Sequence, residues 1–273
     1  MLPIKRILVY TLLVTAAATM LLPLLWMAST ALKTPGDVFA YPPRWIPEVL
    51  QWSNFVDAWN AAPFRRFYLN SLFVACCVST GQVCTSALAA YAFARLEFPG
   101  RDKLFLGYLA TLMIPQSVTM IPVFILIRSL GWVNTYQALI VPLMFSAYGT
   151  FLLRQFFMGI PRDLEEAARM DGCGYVRTFV SIILPLSKPA LATLSIFTFT
   201  GNWSLLMWPL IVTYSDDMRT LPVGLMVFRG GYTTEWHLLM AASLFVMLPV
   251  IIVFVFAQRH FVEGIKMTGF GGA

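Results

Sequence analysis

The sequence predicts an all-α membrane protein, with six transmembrane helices and a short cytoplasmic helix between the fourth and the fifth. Three observations predict it. Hydrophobic residues make up 59% of the 273 and charged residues only 12%, about half the roughly 25% charged of a soluble domain. Six charge-free apolar runs meet or approach the roughly 20 residues that cross a bilayer core as a helix. One polar stretch with helical start and stop signals interrupts them.

The first run, Ile7–Leu32, follows Lys5 and Arg6. It is far longer than the roughly 7–15 residues of a signal-peptide core, so it is expected to stay as a span. The second, Phe67–Ala94, is rich in small residues (Ala75, Ser79, Gly81, Ser86, Ala90) that suit close helix packing. The third, Leu104–Ile127, contains Pro115 and Pro122, which free carbonyls and predict kinks. The fourth, Tyr136–Leu153, is short but extends past Arg154 through Met158. The fifth, Pro189–Val212, is expected to begin nearer Phe179, with Lys188 snorkelling to the interface. The sixth is Leu238–Ala257. Residues 1–273 are thus expected to form one membrane domain with no soluble domain attached.

Orientation follows from Lys and Arg, which favour cytoplasmic loops. With the N-terminus inside, 12 of the 19 basic residues fall on the cytoplasmic side; both termini are therefore expected there. Two external segments are substantial, Lys33–Arg66 and Thr213–His237. The first, with Pro35, Pro42, Pro43 and Pro47 among several aromatics, is expected to fold or lie on the interface.

Composition and motifs exclude several chemistries. The net charge of +6 is spread along the flanks of the apolar runs, which does not suit nucleic acid. Cys76, Cys77 and Cys84 lie in one span and Cys173 stands apart, so neither a disulfide framework nor a metal site is expected. His237 and His260 are predicted on opposite faces of the membrane. There is no G-x-x-x-x-G-K-[ST] phosphate cradle, so this chain does not hydrolyse ATP, and no G-x-S-x-G or H-E-x-x-H. The spans hold almost no ionisable residues, which disfavours an ion-coupled secondary carrier.

The polar stretch is Gly159–Gly172. Asp163 with Glu166 three residues on is a variant of the capping box. Glu165 and Glu166 favour the positive end of the helix dipole, and Gly172 supplies a left-handed stop. About eight residues give a helix of roughly 12 Å, too short to be stable alone in water. Leu164, Ala167, Ala168 and Asp171 recur at helical spacing, and the two alanines permit close approach by a partner.

Glu166-Ala167-Ala168, then Gly172, then Ile182-x-Leu184-Pro185, is similar to the EAA signature of the permease subunits of binding-protein-dependent ABC importers at every position. The flanks Phe151–Phe157 and Leu184–Leu191 resemble the carbohydrate branch, the maltose-permease-like subunits, and the likeness covers essentially the whole chain. The chain departs from that family in its tail, Thr268–Ala273, where a lysine-glycine pattern is usual.

The resemblance implies a function. The chain would translocate a sugar, an oligosaccharide or related glycoside, across a bacterial or archaeal cytoplasmic membrane. It would work beside a second permease subunit, two ATPase subunits carrying ATP and magnesium, and an extracytoplasmic solute-binding protein. A glycerol-phosphate or polyol importer of the same type is the alternative, and an ion-coupled carrier the alternative from another class. The resemblance assigns ATPase coupling to residues 163–172, with Glu165, Glu166, Ala167, Ala168, Asp171 and Gly172, and to Ile182, Leu184 and Pro185 beyond. Along the fifth span, Asn202 offers hydrogen bonds at membrane depth, Trp203 an aromatic face for a sugar ring, and Trp208 either that or an interfacial anchor. These three are the substrate-pathway candidates.

Overall fold

The computed structural model describes residues 2–230 and 233–269, with side chains for 6–230 and 233–256. Among the described residues the protein is all-α. Its helices are α1 (Leu2–Ala31), α2 (Ser53–Asn60), α3 (Phe64–Arg95), α4 (Arg101–Ala110), α5 (Gln116–Ser129), α6 (Tyr136–Ile140) and α7 (Ala147–Met158). They continue with α8 (Asp163–Met170), α9 (Tyr175–Thr178), α10 (Leu184–Leu186), α11 (Lys188–Trp203), α12 (Met207–Val212), α13 (Leu221–Gly224) and α14 (Trp236–Gly269). Extended structure is limited to one bridge, Arg229 to Thr234. The Thr268–Ala273 tail lies largely outside the described residues.

Three helices are long and apolar enough to cross a membrane unaided: Arg6–Ala31, Phe64–Arg95 and Trp236–Phe256, with mean hydropathies of 2.1, 1.6 and 2.9. Three further pairs pass together but are bent, Arg101–Met113 with Gln116–Ser129 by 99°, Tyr136–Leu143 with Ala147–Met158 by 41°, and Tyr175–Leu186 with Lys188–Trp203 by 78°. If each pair is one span, the count is six.

The bends have local causes. Proline lacks an N–H and pushes the residue before it out of the helical region. Ile114 accordingly adopts φ −87°, ψ 116° ahead of Pro115, and the third run breaks there. Pro122 is instead absorbed inside α5. In the fifth run the turn before Pro185 widens into a π-helix over Phe179–Ile183, which gives the proline ring room. The chain then turns at Ser187 and restarts with Pro189 in the first turn of α11, where a missing N–H leaves nothing unpaired. A second interruption at Ser204–Leu206 separates α11 from α12. Residues 179–212 therefore do not form one uninterrupted helix.

The chain divides into two compact units. One comprises the residues up to Arg66 together with Leu221–Pro249. Here the segment after α1 is folded, as its prolines and aromatics predict. Asn54, at the start of α2, donates to the carbonyls of Ala31 (2.9 Å) and Lys33 (2.8 Å), closing the C-terminal end of α1. Phe245 stands edge-on to both Phe55 and Trp59, at 5.9 and 5.3 Å between centroids. Lys33 is fully buried with its ammonium 4.0 Å from the Trp26 ring centroid. Burial pushes that ammonium below the ordinary lysine value, and Asp37 partly offsets the shift. Asn54→Ala removes the shared donor from two carbonyls at a buried site. It is expected to cost about 1–3 kcal/mol, read as a lower midpoint of thermal unfolding in detergent.

The second unit comprises Phe67–Thr220 and the residues from Val250 on. Two apolar clusters hold it. One packs Ala87, Ala90, Tyr91 and Ala94 of α3 against Leu153 and Phe157 of α7, Ile183, and Leu194 of α11. The other gathers Val74, Val78, Ile127, Ala138, Leu139, Trp208 and Val212. At its edge Asn70 donates to the carbonyls of Asp217 and Arg219 and accepts from the Tyr136 hydroxyl at 2.7 Å. Asn134, in the left-handed region at φ 61°, accepts from the backbone N–H groups of Tyr214 and Ser215. These two asparagines hold residues 214–219 against the helices.

Candidate functional site

Helix α8 is a single short helix of eight residues, Asp163–Met170. Its start differs from the capping box its sequence predicts. Arg162 occupies the capping position in helical geometry without a side-chain bond, and Asp163 is already the first helical residue. The backbone N–H groups of Glu165 and Glu166 are taken up by the Arg162 carbonyl at 2.9 and 3.0 Å. With the turn closed from the main chain, the Asp163 and Glu166 side chains are left free of capping duty. The stop is as predicted. Gly172 sits at φ +80°, the Cys173 N–H reaches the Ala168 carbonyl at 2.9 Å, and the Gly172 N–H reaches that of Arg169 at 2.9 Å. That is a Schellman closure, which a left-handed glycine permits without strain.

The two alanines do not share a face. Ala168 and Glu165 are buried, whereas Leu164, Glu166, Ala167, Met170 and Asp171 are exposed, Met170 to 90%. The outward surface of α8 is thus small and apolar at Ala167, with Leu164 and Met170 beside it and carboxylates at Glu166 and Asp171. Beyond Gly172, Tyr175 and Val176 are also exposed. Ile182 and Leu184 are half-buried and Pro185 exposed; they lie in the bent segment before α11.

Glu165 turns inward onto Arg95, the last residue of α3. Its Oε1 lies 2.7 Å from the Arg95 Nε, and the two side chains are only 6% and 4% exposed. The same guanidinium donates through Nη2 to the carbonyls of Phe157 (2.6 Å) and Ile160 at the end of α7. The sequence marks Arg95 only as a basic flank of the second span. Its role as the meeting point of three helices depends on long-range packing that no local pattern encodes. Outside this pair lies a groove of about 210 Å³ whose lining includes Arg162, Glu166, Arg169 and Tyr175, with the Arg169 guanidinium 4.8 Å from the Tyr175 ring centroid.

Further along α3 a row of polar side chains serves the break before α7. Gln82 donates to the Leu143 carbonyl at 2.6 Å and Thr85 to that of Met144 at 2.8 Å. In an apolar surrounding, carbonyls released by a broken helix must find such donors. Gly81 and Gly149 let the backbones approach there. A Cβ on Gly81 would stand 2.5 Å from the Met144 side chain, and one on Gly149 would stand 2.5 Å from the Ser86 hydroxyl and 3.2 Å from Leu194.

Beside this contact, α3, α11 and α14 border a cavity of about 470 Å³. Its lining includes Ser79, Thr80, Ser195, Phe199, Cys76 and Cys84 and no charged side chain, and the Ser195 hydroxyl donates to the Leu191 carbonyl at 2.8 Å. The Ser79 hydroxyl is buried and has no hydrogen-bond partner among the described residues. From sequence the small-residue stripe on α3 is explained by packing alone, and only the fold shows that one flank of it opens on a cavity. The three pathway candidates of the fifth span are placed differently. Trp203 is 1% exposed, stacked on Phe199 and edge-on to Tyr68. Trp208 is 4% exposed and donates its indole N–H to the Ala138 carbonyl at 2.9 Å. Asn202 is half-buried and donates to the Thr198 carbonyl one turn back.

Residues 82–267 match the family described as "Binding-protein-dependent transport system inner membrane component". The chain is 37% identical over 264 residues to the sn-glycerol-3-phosphate transport system permease protein UgpE of Escherichia coli O1:K1 / APEC, covering 94% of each chain. It is 38% identical over 251 residues to the probable ABC transporter permease protein YurM of Bacillus subtilis (strain 168), covering 89% of this chain and 81% of that one. Its fold matches a chain of a bacterial ABC transporter involved in the import of the acidic polysaccharide alginate, with a TM-score of 0.83 at 23% identity, over 94% of this chain and 96% of that one. The protein therefore belongs to the family of inner membrane components of binding-protein-dependent transport systems, as a permease component and not an enzyme.

Proposed function

We propose that this chain translocates a sugar, an oligosaccharide or related glycoside, as one of two permease subunits of an ATP-driven importer, with α8 as the element that an ATPase subunit grips. The observation that carries the coupling reading is the form of α8. It is an eight-residue helix anchored inward through Glu165 and Ala168. Outward it presents Leu164, Ala167 and Met170 with Glu166 and Asp171 alongside, and the shallow side chain of Ala167 leaves room for a partner's groove to close on it. In this scheme ATP and magnesium sit on two ATPase subunits, a solute-binding protein delivers substrate on the other side, and both termini of this chain are cytoplasmic. The apolar surface of α1, none of whose most hydrophobic window is buried within the chain, faces lipid or the second permease.

The substrate class rests on the cavity bordered by Ser79, Thr80, Ser195 and Phe199. The lining is mainly apolar, with an aromatic ring at Phe199, the exposed Thr80 and no cation, which suits the face of a neutral sugar ring better than an anion. Asn202, half-buried on the same helix as Ser195 and Phe199, is kept as a pathway residue. Trp203 supports the ring of Phe199 from behind, and Trp208 acts through packing. A glycerol-phosphate substrate is the second reading, favoured by the identity to permeases named for that compound. A phosphate would require cations that this lining lacks, so the second permease would have to supply them.

The test is affinity purification of the chain from its native membrane in mild detergent, followed by reconstitution with the polypeptides that accompany it. A second permease and an ATPase are expected, with ATP hydrolysis stimulated by binding protein loaded with a neutral oligosaccharide. Stimulation by sn-glycerol 3-phosphate instead would select the second reading. A chain that comes out alone and moves solute without ATP would overturn both. In the reconstituted importer, Asn202→Ala is expected to lower uptake while assembly is unchanged.

A further inference from the structure

We propose that Arg95 is a positioning residue that makes α3 and α7 move as one body with α8, carrying displacement of the coupling helix to the cavity. The proposal rests on the reading of α8 as the ATPase contact and names the linkage behind it.

Three contacts converge on one guanidinium. Glu165 of α8 meets its Nε at 2.7 Å, and the Phe157 and Ile160 carbonyls at the end of α7 accept from its Nη2. Both side chains of the ion pair are more than nine-tenths buried. Arginine spreads its charge and donors over a rigid planar group, so Nη2 can donate to both carbonyls while the Glu165 carboxylate sits against Nε as a buried ion pair outside hydrogen-bond geometry, a combination that the single ammonium of lysine does not offer. The Phe157 carbonyl already accepts from the Ile160 N–H at 3.1 Å, and Arg95 adds a donor to it and to the Ile160 carbonyl just past the helix end. Helix α8 has few other inward holds, since Glu165 and Ala168 are its buried residues.

The same two helices are joined again where Arg154 of α7 donates to the Phe93 carbonyl of α3 at 3.2 Å, and where the Ser86 hydroxyl of α3 donates to the carbonyl of Ser146, the cap of α7, at 3.4 Å. A helix pair tied at two separated places resists relative sliding. Thr80, at the cavity, lies 15 residues before Arg95, about 22 Å along the axis at 1.5 Å per residue. Force applied to α8 therefore has a stiff route to the cavity through Arg95 and the body of α3.

The experiment uses the assembled importer with the four cysteines of this chain replaced by serine and spin labels at Met170→Cys on α8 and Leu72→Cys on α3. Both positions are exposed. Pulsed electron-electron resonance is recorded with and without ATP plus vanadate. Wild-type Arg95 is expected to give one distance distribution that nucleotide leaves unchanged, while the mobility of the label at Met170 responds. The double variant Arg95→Met with Glu165→Met removes both charges together, which at buried pairs is commonly tolerated. In it the distribution is expected to shift or split on adding nucleotide. Arg95→Lys, which keeps the charge and loses the fork, is expected to fall between. The proposal is overturned if the double variant, folded and still bound to its ATPase, keeps the wild-type distribution. It is overturned equally if the wild-type distance changes with nucleotide. If the label at Met170 ignores nucleotide in an importer that hydrolyses ATP, the coupling reading fails with it.

Discussion

Glu165→Ala is expected to destabilise the folded chain by about 3–5 kcal/mol, whereas Glu166→Ala, one residue on, should cost almost nothing. Removing one member of a buried ion pair leaves the other charge uncompensated away from water, and that is the source of the large figure. Here the survivor would be Arg95, 4% exposed, left with two carbonyls and no counter-charge. At roughly 2–4 °C per kcal/mol for a chain of this size, the melting midpoint in mild detergent should fall by about 10 °C. Glu166 lies on the exposed side of α8, so its loss touches solvent and, in the assembled importer, the ATPase. The expected signature of Glu166→Ala is normal melting with weakened ATPase attachment. Equal melting of the two variants would show that the inward face of α8 does not depend on the Arg95 pair.

Gly172→Val should separate α8 from its ATPase while leaving the spans assembled. Gly172 holds φ +80° and completes two backbone bonds that stop the helix. A residue with a Cβ pays about 1–2 kcal/mol in that conformation, and a β-branched residue is a genuine outlier there. Nothing lies within 4 Å of where a Cβ on Gly172 would stand, so the effect comes from backbone conformation and not from a clash. At 1.4 kcal/mol per factor of ten, the population with a correctly stopped helix should drop roughly tenfold, and ATPase recovered in co-purification should fall with it. Gly172→Asn, which tolerates the left-handed region better, is expected to lose less. Full ATPase recovery with Gly172→Val would remove the stop from the coupling function.

These two glutamates also show where sequence reasoning reaches its limit. Their place on a short helix with a left-handed stop at Gly172 is legible from spacing, because helix periodicity and glycine conformation are local properties. Which carboxylate turns inward is not, since it depends on Arg95, 70 positions away along the chain. The capping box at Asp163 fails for a related reason. A capping preference is a statement about isolated helix ends, and here the Arg162 carbonyl closes the turn instead. Hydropathy likewise finds the third and fifth runs but not their bends of 99° and 78°, because an averaged window registers apolar content and not the direction of the chain through Pro115 or Ser187.

By itself the sequence determined the membrane class, the six apolar runs, the family through the Glu166-Ala167-Ala168 and Gly172 spacing, and the lack of any ATP-hydrolysing motif. Each follows from composition or from contacts within a few residues. Only the tertiary structure decided that Ala167 faces outward while Ala168 faces inward, that Trp203 and Trp208 are packed inside their unit, and that Thr80 borders an uncharged cavity. It also decided that Arg95 joins three helices. Those outcomes depend on which distant helix lies against which face, and burial of a side chain is fixed by its neighbours in space, not by those in sequence.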